Sequence, residues 1–170
     1  MNPFDLSNKV ICVTGASSGI GRQCAVSCSR MGATVVLLAR NEQRLHETLS
    51  IMDNPDKHVI IPVDLTEYAT VELVVKNIVS QVGRISGVLH CAGISTTLPL
   101  KLVTPEKLDE FFQANVFSAY NLTREVCKMG NFSREGGSIV FFSSVMGKVG
   151  ENGKSLYGMT KGALVSGTRS

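Results

Sequence analysis

Tyr157 and Lys161 stand four residues apart in SLYGMTKGALVSGTRS. On a helix that spacing puts both side chains on one face. A phenol beside an ammonium is a proton-transfer pair. The positive charge stabilises the phenolate, so the hydroxyl can give a proton to a carbonyl oxygen or take one from an alcohol. Upstream, Ser143 and Ser144 close the apolar run IVFFSS. A hydroxyl at a strand end can hydrogen-bond a substrate oxygen and steady the charge forming there. Neighbouring strand residues face opposite ways, so the two serines are not interchangeable. Asn115 reads either as a packing residue in a helical stretch or as an amide holding a water that links Lys161 to solvent. A Tyr-x-x-x-Lys pair alone also fits an ordinary exposed helix face.

A second constellation is TGASSGIG, from Thr14 to Gly21, with glycines at 15, 19 and 21 and Ser17, Ser18 and Ile20 between them. It follows an apolar β-branched run and opens a helical one. Glycines let phosphate oxygens approach the main chain, and the helix offers unpaired N–H groups and the positive end of its dipole. The pattern predicts a pyrophosphate site. Its spacing is GxxxGxG rather than GxGxxG, and it lacks the GK[ST] ending of a nucleotide-hydrolysing loop. The next strand ends Ala39–Arg40. An acidic residue there would grip ribose hydroxyls, whereas Arg40 suits a 2′-phosphate through charge-assisted bonds, with Arg22 and Arg44 as further positive charges. NADP is therefore expected in preference to NAD. Asp64, at the end of the third strand, is placed for the adenine amino group with Leu65 against the ring, or for capping the next helix.

These residues need elements to carry them. Short apolar strands are predicted at 9–14, 34–39, 58–63, 86–91 and 138–144. Between them lie helical patterns at 19–31, 41–52 and 71–82, a stretch at 105–130 long enough for one helix or two, and a helix from about 155. Strands apolar on both faces, alternating with helices, predict a doubly wound parallel α/β sheet with helices on both faces. The 170 residues, 44% of them hydrophobic, fit one domain with a real core. A net charge of +3 from scattered cations gives no case for nucleic acid. The five cysteines read as reduced thiols, with no metal site expected. No signal peptide is visible in MNPFDLSNK, and no apolar run nears twenty residues. A cytoplasmic protein without membrane partners is expected.

TGASSGIG, CAG at 91–93, Asn115, IVFFSS and YGMTK, in that order, resemble the short-chain dehydrogenase/reductase family over residues 9–170. The resemblance implies a Rossmann-like fold, NAD or NADP, and a Ser–Tyr–Lys core with an assisting Asn. It assigns Asn115, Ser144, Tyr157 and Lys161 to catalysis. The family's thirteen-residue step from Ser to Tyr selects Ser144 over Ser143. Gly15, Gly19 and Gly21, Cys91, Ala92 and Gly93, and Tyr157 and Lys161 then face the cofactor, and Lys161 holds the nicotinamide ribose. HCAG at 90–93 departs from the usual NNAG and removes amides that tie adjacent loops. Members normally run near 250 residues, so the resemblance implies a single domain cut within its catalytic helix and lacking the last strands. The full-length form is expected to be a homodimer or homotetramer. The implied activity is hydride transfer between NADP(H) and a carbonyl or secondary alcohol, with a lean toward 3-oxoacyl-carrier-protein reduction. The alternative is an inactive nucleotide-binding homologue or a structural Rossmann-like domain.

Overall fold

The computed structural model describes residues 4–169. Five parallel strands form one sheet: β1 (Val10–Thr14), β2 (Thr34–Ala39), β3 (Val59–Pro62), β4 (Gly87–His90) and β5 (Ser138–Phe141). Their spatial order is β3-β2-β1-β4-β5. β1 and β2 are apolar but for Thr14 and Thr34 at their ends, because both their faces are covered. Alternate residues of the same strands feed two cores. Val10, Cys12, Val36, Leu38 and Val88 pack on one face with Val71, Val75 and Ile78 of α3 (Tyr68–Val82) and Leu122 and Val126 of α5 (Ser118–Val126). Ile11, Val13, Val35 and Leu37 pack on the other with Ala25 and Val26 of α1 (Gly19–Arg30) and Leu45 of α2 (Glu42–Leu49). Each fully buried Val or Leu contributes about 1.5–3 kcal/mol, so the central strands dominate the stabilisation.

Several predicted bounds shift, and the second helix, expected to run to 52, ends at Leu49. Strand five ends at Phe141, so Ser143 and Ser144 lie in the loop beyond it. Helix α3 begins at Tyr68, a turn before its apolar spacing shows. The long stretch resolves into α4 (Pro105–Phe112), a wide π turn over Gln113–Phe117, and α5. Thr104 caps α4 through its side chain, with Pro105 at the first helical position. Helix α6 (Ser155–Gly167) packs on α4 and the π turn. Among the described residues no helix is long and apolar enough to cross a membrane.

Candidate active site

From β1 the chain winds outward one way to β2 and β3, then returns to build β4 and β5 on the other side. At such a reversal the loops diverge beyond the carboxyl ends of the strands, and a crevice opens. Here it is a cleft of about 1040 Å³, walled by Gly15, Ser17–Gly21, Arg40, Asp64, Leu65 and Cys91–Gly93. Gly15 adopts φ +65°, and a Cβ there would lie 3.0 Å from the Ala92 backbone. A Cβ on Gly21 would overlap the Gly15 carbonyl. Ser18 precedes α1 in an extended conformation, makes no capping side-chain bond, and is followed by no acidic residue in the first turn. Backbone donors at a positive helix end, with no Cβ in the way, fit the pyrophosphate of a dinucleotide.

At the far end, Arg40 Nη1 lies 3.8 Å from Asp64 Oδ2. Asp64 Oδ1 accepts the Thr66 N–H at 3.0 Å and the Thr66 hydroxyl at 2.7 Å. Burial raises the Asp64 carboxyl, but the Thr66 bonds and Arg40 outweigh it and hold the group below its ordinary value. The residue before α3 is Glu67, so Asp64 closes its own turn and does not cap that helix. Arg22 is not a free charge either. It donates to Thr48 Oγ1 at 3.0 Å and to the Ser17 carbonyl at 2.8 Å, and pairs with Glu47 at 3.1 Å. It braces the glycine loop, leaving Arg40 and Arg44 as the cations on the cleft wall.

The Tyr157–Lys161 group assembles where the loops after β4 and β5 meet α6. Lys161 is buried, and its Nζ donates to the Phe142 carbonyl at 2.7 Å. Burial lowers its pKa, with Cys91 opposing. Its ammonium lies 5.7 Å from the centre of the half-buried Tyr157 ring. Among the described residues the Tyr157 hydroxyl has no hydrogen-bond partner. Ser144 Oγ accepts the Met146 N–H at 3.2 Å, capping a 3₁₀ turn over Val145–Gly147, so its own proton stays available for donation. Gly93 lies between the cleft and this group: a Cβ there would meet Asn115 Oδ1 at 3.0 Å and Lys161 Nζ at 3.6 Å.

Asn115 departs from expectation. Its Oδ1 accepts the Ile94 N–H at 2.7 Å, and its Nδ2 donates to the Ile94 carbonyl at 2.9 Å and to Thr160 Oγ1 at 3.0 Å. Both amide protons are used, so the side chain is a clamp joining the loop after β4 to α6 rather than a donor to water. His90 is also accounted for. It stacks on Phe141 with centroids 4.6 Å apart, and its Nε2 lies 2.8 Å from Thr123 Oγ1. It faces α5 and β5 and is not a wall of the cleft.

Cleft residues missed by motif reading include Tyr68, Ser118, Glu110, Gln113 and Ala114. The last three recur at i, i+3 and i+4 on one helix face, which is their only sequence signal. On the substrate side, Leu98 N–H bonds the Gly153 carbonyl at 2.8 Å and Lys154 Nζ the Thr96 carbonyl at 3.1 Å. These bonds strap the loops at 94–100 and 145–153 together. A hollow of about 480 Å³ beside them includes Met146, Val149 and Met159 but neither Ser144 nor Tyr157.

Residues 9–170 match the model of the short chain dehydrogenase family. An uncharacterized oxidoreductase of Escherichia coli K12, YciK, is 32% identical over 162 residues, which are 92% of this chain and 64% of that protein. The 3-dehydrosphinganine reductase of Danio rerio is 32% identical over 168 residues, or 95% of this chain and 50% of that one. Among solved structures, a short chain dehydrogenase of Shigella flexneri in complex with NADP superposes with a TM-score of 0.85 at 33% identity, covering 94% of this chain and 68% of that one. The chain thus spans one half to about two thirds of these relatives. With the parallel sheet, the glycine cradle and the motif order in agreement, the chain belongs to the short-chain dehydrogenase family of oxidoreductases.

Proposed function

We propose that the chain carries the cofactor and proton-transfer machinery of an NADP(H)-dependent oxidoreductase acting on a ketone or secondary alcohol. The observation that carries this reading is the buried Lys161 ammonium beside the Tyr157 ring, with the tyrosine hydroxyl unengaged. In the reduction direction Tyr157 gives its proton to the carbonyl oxygen, and Lys161 stabilises the phenolate left behind. Ser144, whose oxygen already accepts a backbone N–H, donates its own proton to the same substrate oxygen. Asn115 holds the loop after β4 against α6. A bound NADP(H) supplies or accepts the hydride. Gly15, Ser17–Gly21 and Ala92–Gly93 would hold its pyrophosphate and nicotinamide ends, and Leu65 its adenine.

The preference for NADP rests on Arg40 and Arg44 at the adenosine end of the cleft and on the Shigella flexneri relative solved with NADP. The substrate is proposed to be a ketone, with 3-oxoacyl thioesters tested first. The relative named for 3-dehydrosphinganine reduction makes long-chain ketones the second set. Tyr157→Phe is the decisive experiment. NADPH binding, followed by fluorescence, should be unchanged, while turnover falls by about 10²–10⁴-fold. Retained turnover would overturn the assignment of Tyr157.

A further inference from the structure

Ser143 is left without a role by the proton-transfer scheme, yet it is tied to that scheme's centre. Its Oγ donates to the Lys161 backbone carbonyl at 2.9 Å. The preceding residue, Phe142, accepts the Lys161 ammonium through its own carbonyl at 2.7 Å. Two consecutive residues therefore hold Lys161 by its two polar ends. The turn that follows presses on the same point. A Cβ on Gly147 would lie 2.8 Å from Lys161 C and 2.9 Å from Gly162 N, so this position admits only hydrogen. One turn earlier on α6, a Cβ on Gly158 would lie 2.8 Å from the Met146 carbonyl oxygen. The loop carrying Ser144 is thus fastened along the helix carrying Tyr157 and Lys161, and most tightly at Lys161.

We propose that Ser143 is a positioning residue that sets Lys161, and with it Tyr157, relative to Ser144. The inference rests on the function proposed above but is readable without it. Ser144 and Tyr157 must reach one substrate oxygen from two different elements. Within residues 142–144 the side-chain bond across this junction comes from Ser143, because Phe142 contributes its carbonyl and Ser144 bonds within its own turn. Losing the hydroxyl should free the Lys161 backbone to shift, lengthening the ammonium's bond to Phe142 and misaligning the proton-transfer pair. Little of the fold depends on Ser143, which is exposed.

The test compares Ser143→Ala and Ser143→Thr with the unaltered chain. Lys161 reactivity is read by trace labelling with acetic anhydride and mass spectrometry, with exposed Lys148 as internal standard. Ser143→Ala should raise Lys161 labelling about fivefold, the change expected from one net hydrogen bond. Ser143→Thr should restore the original rate. With NADPH and acetoacetyl-coenzyme A, Ser143→Ala should lower kcat by a similar factor, leaving the KM for NADPH and the Tm nearly unchanged. Gly147→Ala, which pushes the turn off Lys161, should raise labelling further. Unchanged labelling in Ser143→Ala, or failure of threonine to restore it, would overturn the proposal. Absence of turnover by the unaltered chain on every ketone would sink the proposed function, while labelling would still decide the role of Ser143.

Discussion

The cleft that fits the dinucleotide and the group around Tyr157 are built from different materials. The first is backbone: three glycines, the N–H groups of α1, and Ala92 against Gly15. Its requirement is space, so a single added carbon is the damaging change. The second is side chains from three elements, held by main-chain groups: Lys161 by Phe142 and Asn115 by Ile94, each from another segment, and Ser144 by Met146 of its own turn. Its requirement is alignment. The first should therefore fail abruptly and the second by degrees.

Gly21→Ala should be the most damaging change, because its methyl overlaps the Gly15 carbonyl. The cost is about 3 kcal/mol, with NADPH affinity lost, measured by urea unfolding and fluorescence titration. Gly19→Ala meets nothing within 4 Å and pays only for φ +53°, about 1 kcal/mol. Equal damage at the two positions would break the space argument. Next comes acid sensitivity on the side-chain half. Burial pushes His90 from 6.5 down to about 4. Between those values the unfolded chain binds a proton that the folded chain refuses. Stability is therefore complete above the unfolded value, falls as the pH drops through this window, and levels off below about 4, a loss of up to about 3 kcal/mol. His58, depressed chiefly by burial, adds a slope of the same sign from the nucleotide half. His90→Asn should flatten the larger part of the dependence of Tm on pH.

Arg40→Asp should weaken NADPH about thirtyfold while leaving NADH nearly unchanged, as loss of charge-assisted bonds to a 2′-phosphate requires. Equal losses for both cofactors would count against the adenosine-end assignment. The smallest effect has the opposite sign. Burial lowers the Lys161 pKa, so the folded chain sheds that proton more readily than the unfolded one. The charge therefore opposes folding at neutral pH, and the penalty fades as pH rises toward 10.5. Lys161→Met should abolish turnover yet raise Tm by about 3 °C, the effect of about 1 kcal/mol in a chain of this size.

The backbone-built half was the more legible. Gly15, Gly19 and Gly21 announce themselves because glycine is chosen for what it lacks, and the apolar runs at β1, β2 and β4 follow from burial on both faces. Tyr157 and Lys161 were legible as a pair through helix periodicity. What could not be read were partners fixed by tertiary contact. Nothing local says that Arg22 turns back onto Thr48, or that Asn115 spends its amide on Ile94 and Thr160. The end of β5 at Phe141 and the early start of α3 at Tyr68 depend on neighbouring strands and turns rather than on side-chain pattern. Glu110 and Gln113 reach the cleft from a helix whose sequence carries no motif.

The π turn at Gln113–Phe117 has a consequence for the whole rod of 105–126. One extra residue in a turn rotates everything after it by about 100° relative to a continuous α-helix. Glu110 before the turn, Gln113 at its start and Ser118 just after it line the cleft; farther on, Leu122 and Val126 lie in the core. Asn115 sits within the turn. The rod thus gives cleft contacts as far as Ser118 and core contacts beyond it, with the wide turn setting how the two segments face. Because the wide turn absorbs one residue, removing a residue between 113 and 117 would leave both flanks facing as they do, whereas adding one at the start of α5 would turn Leu122 and Val126 away from the core by about 100°.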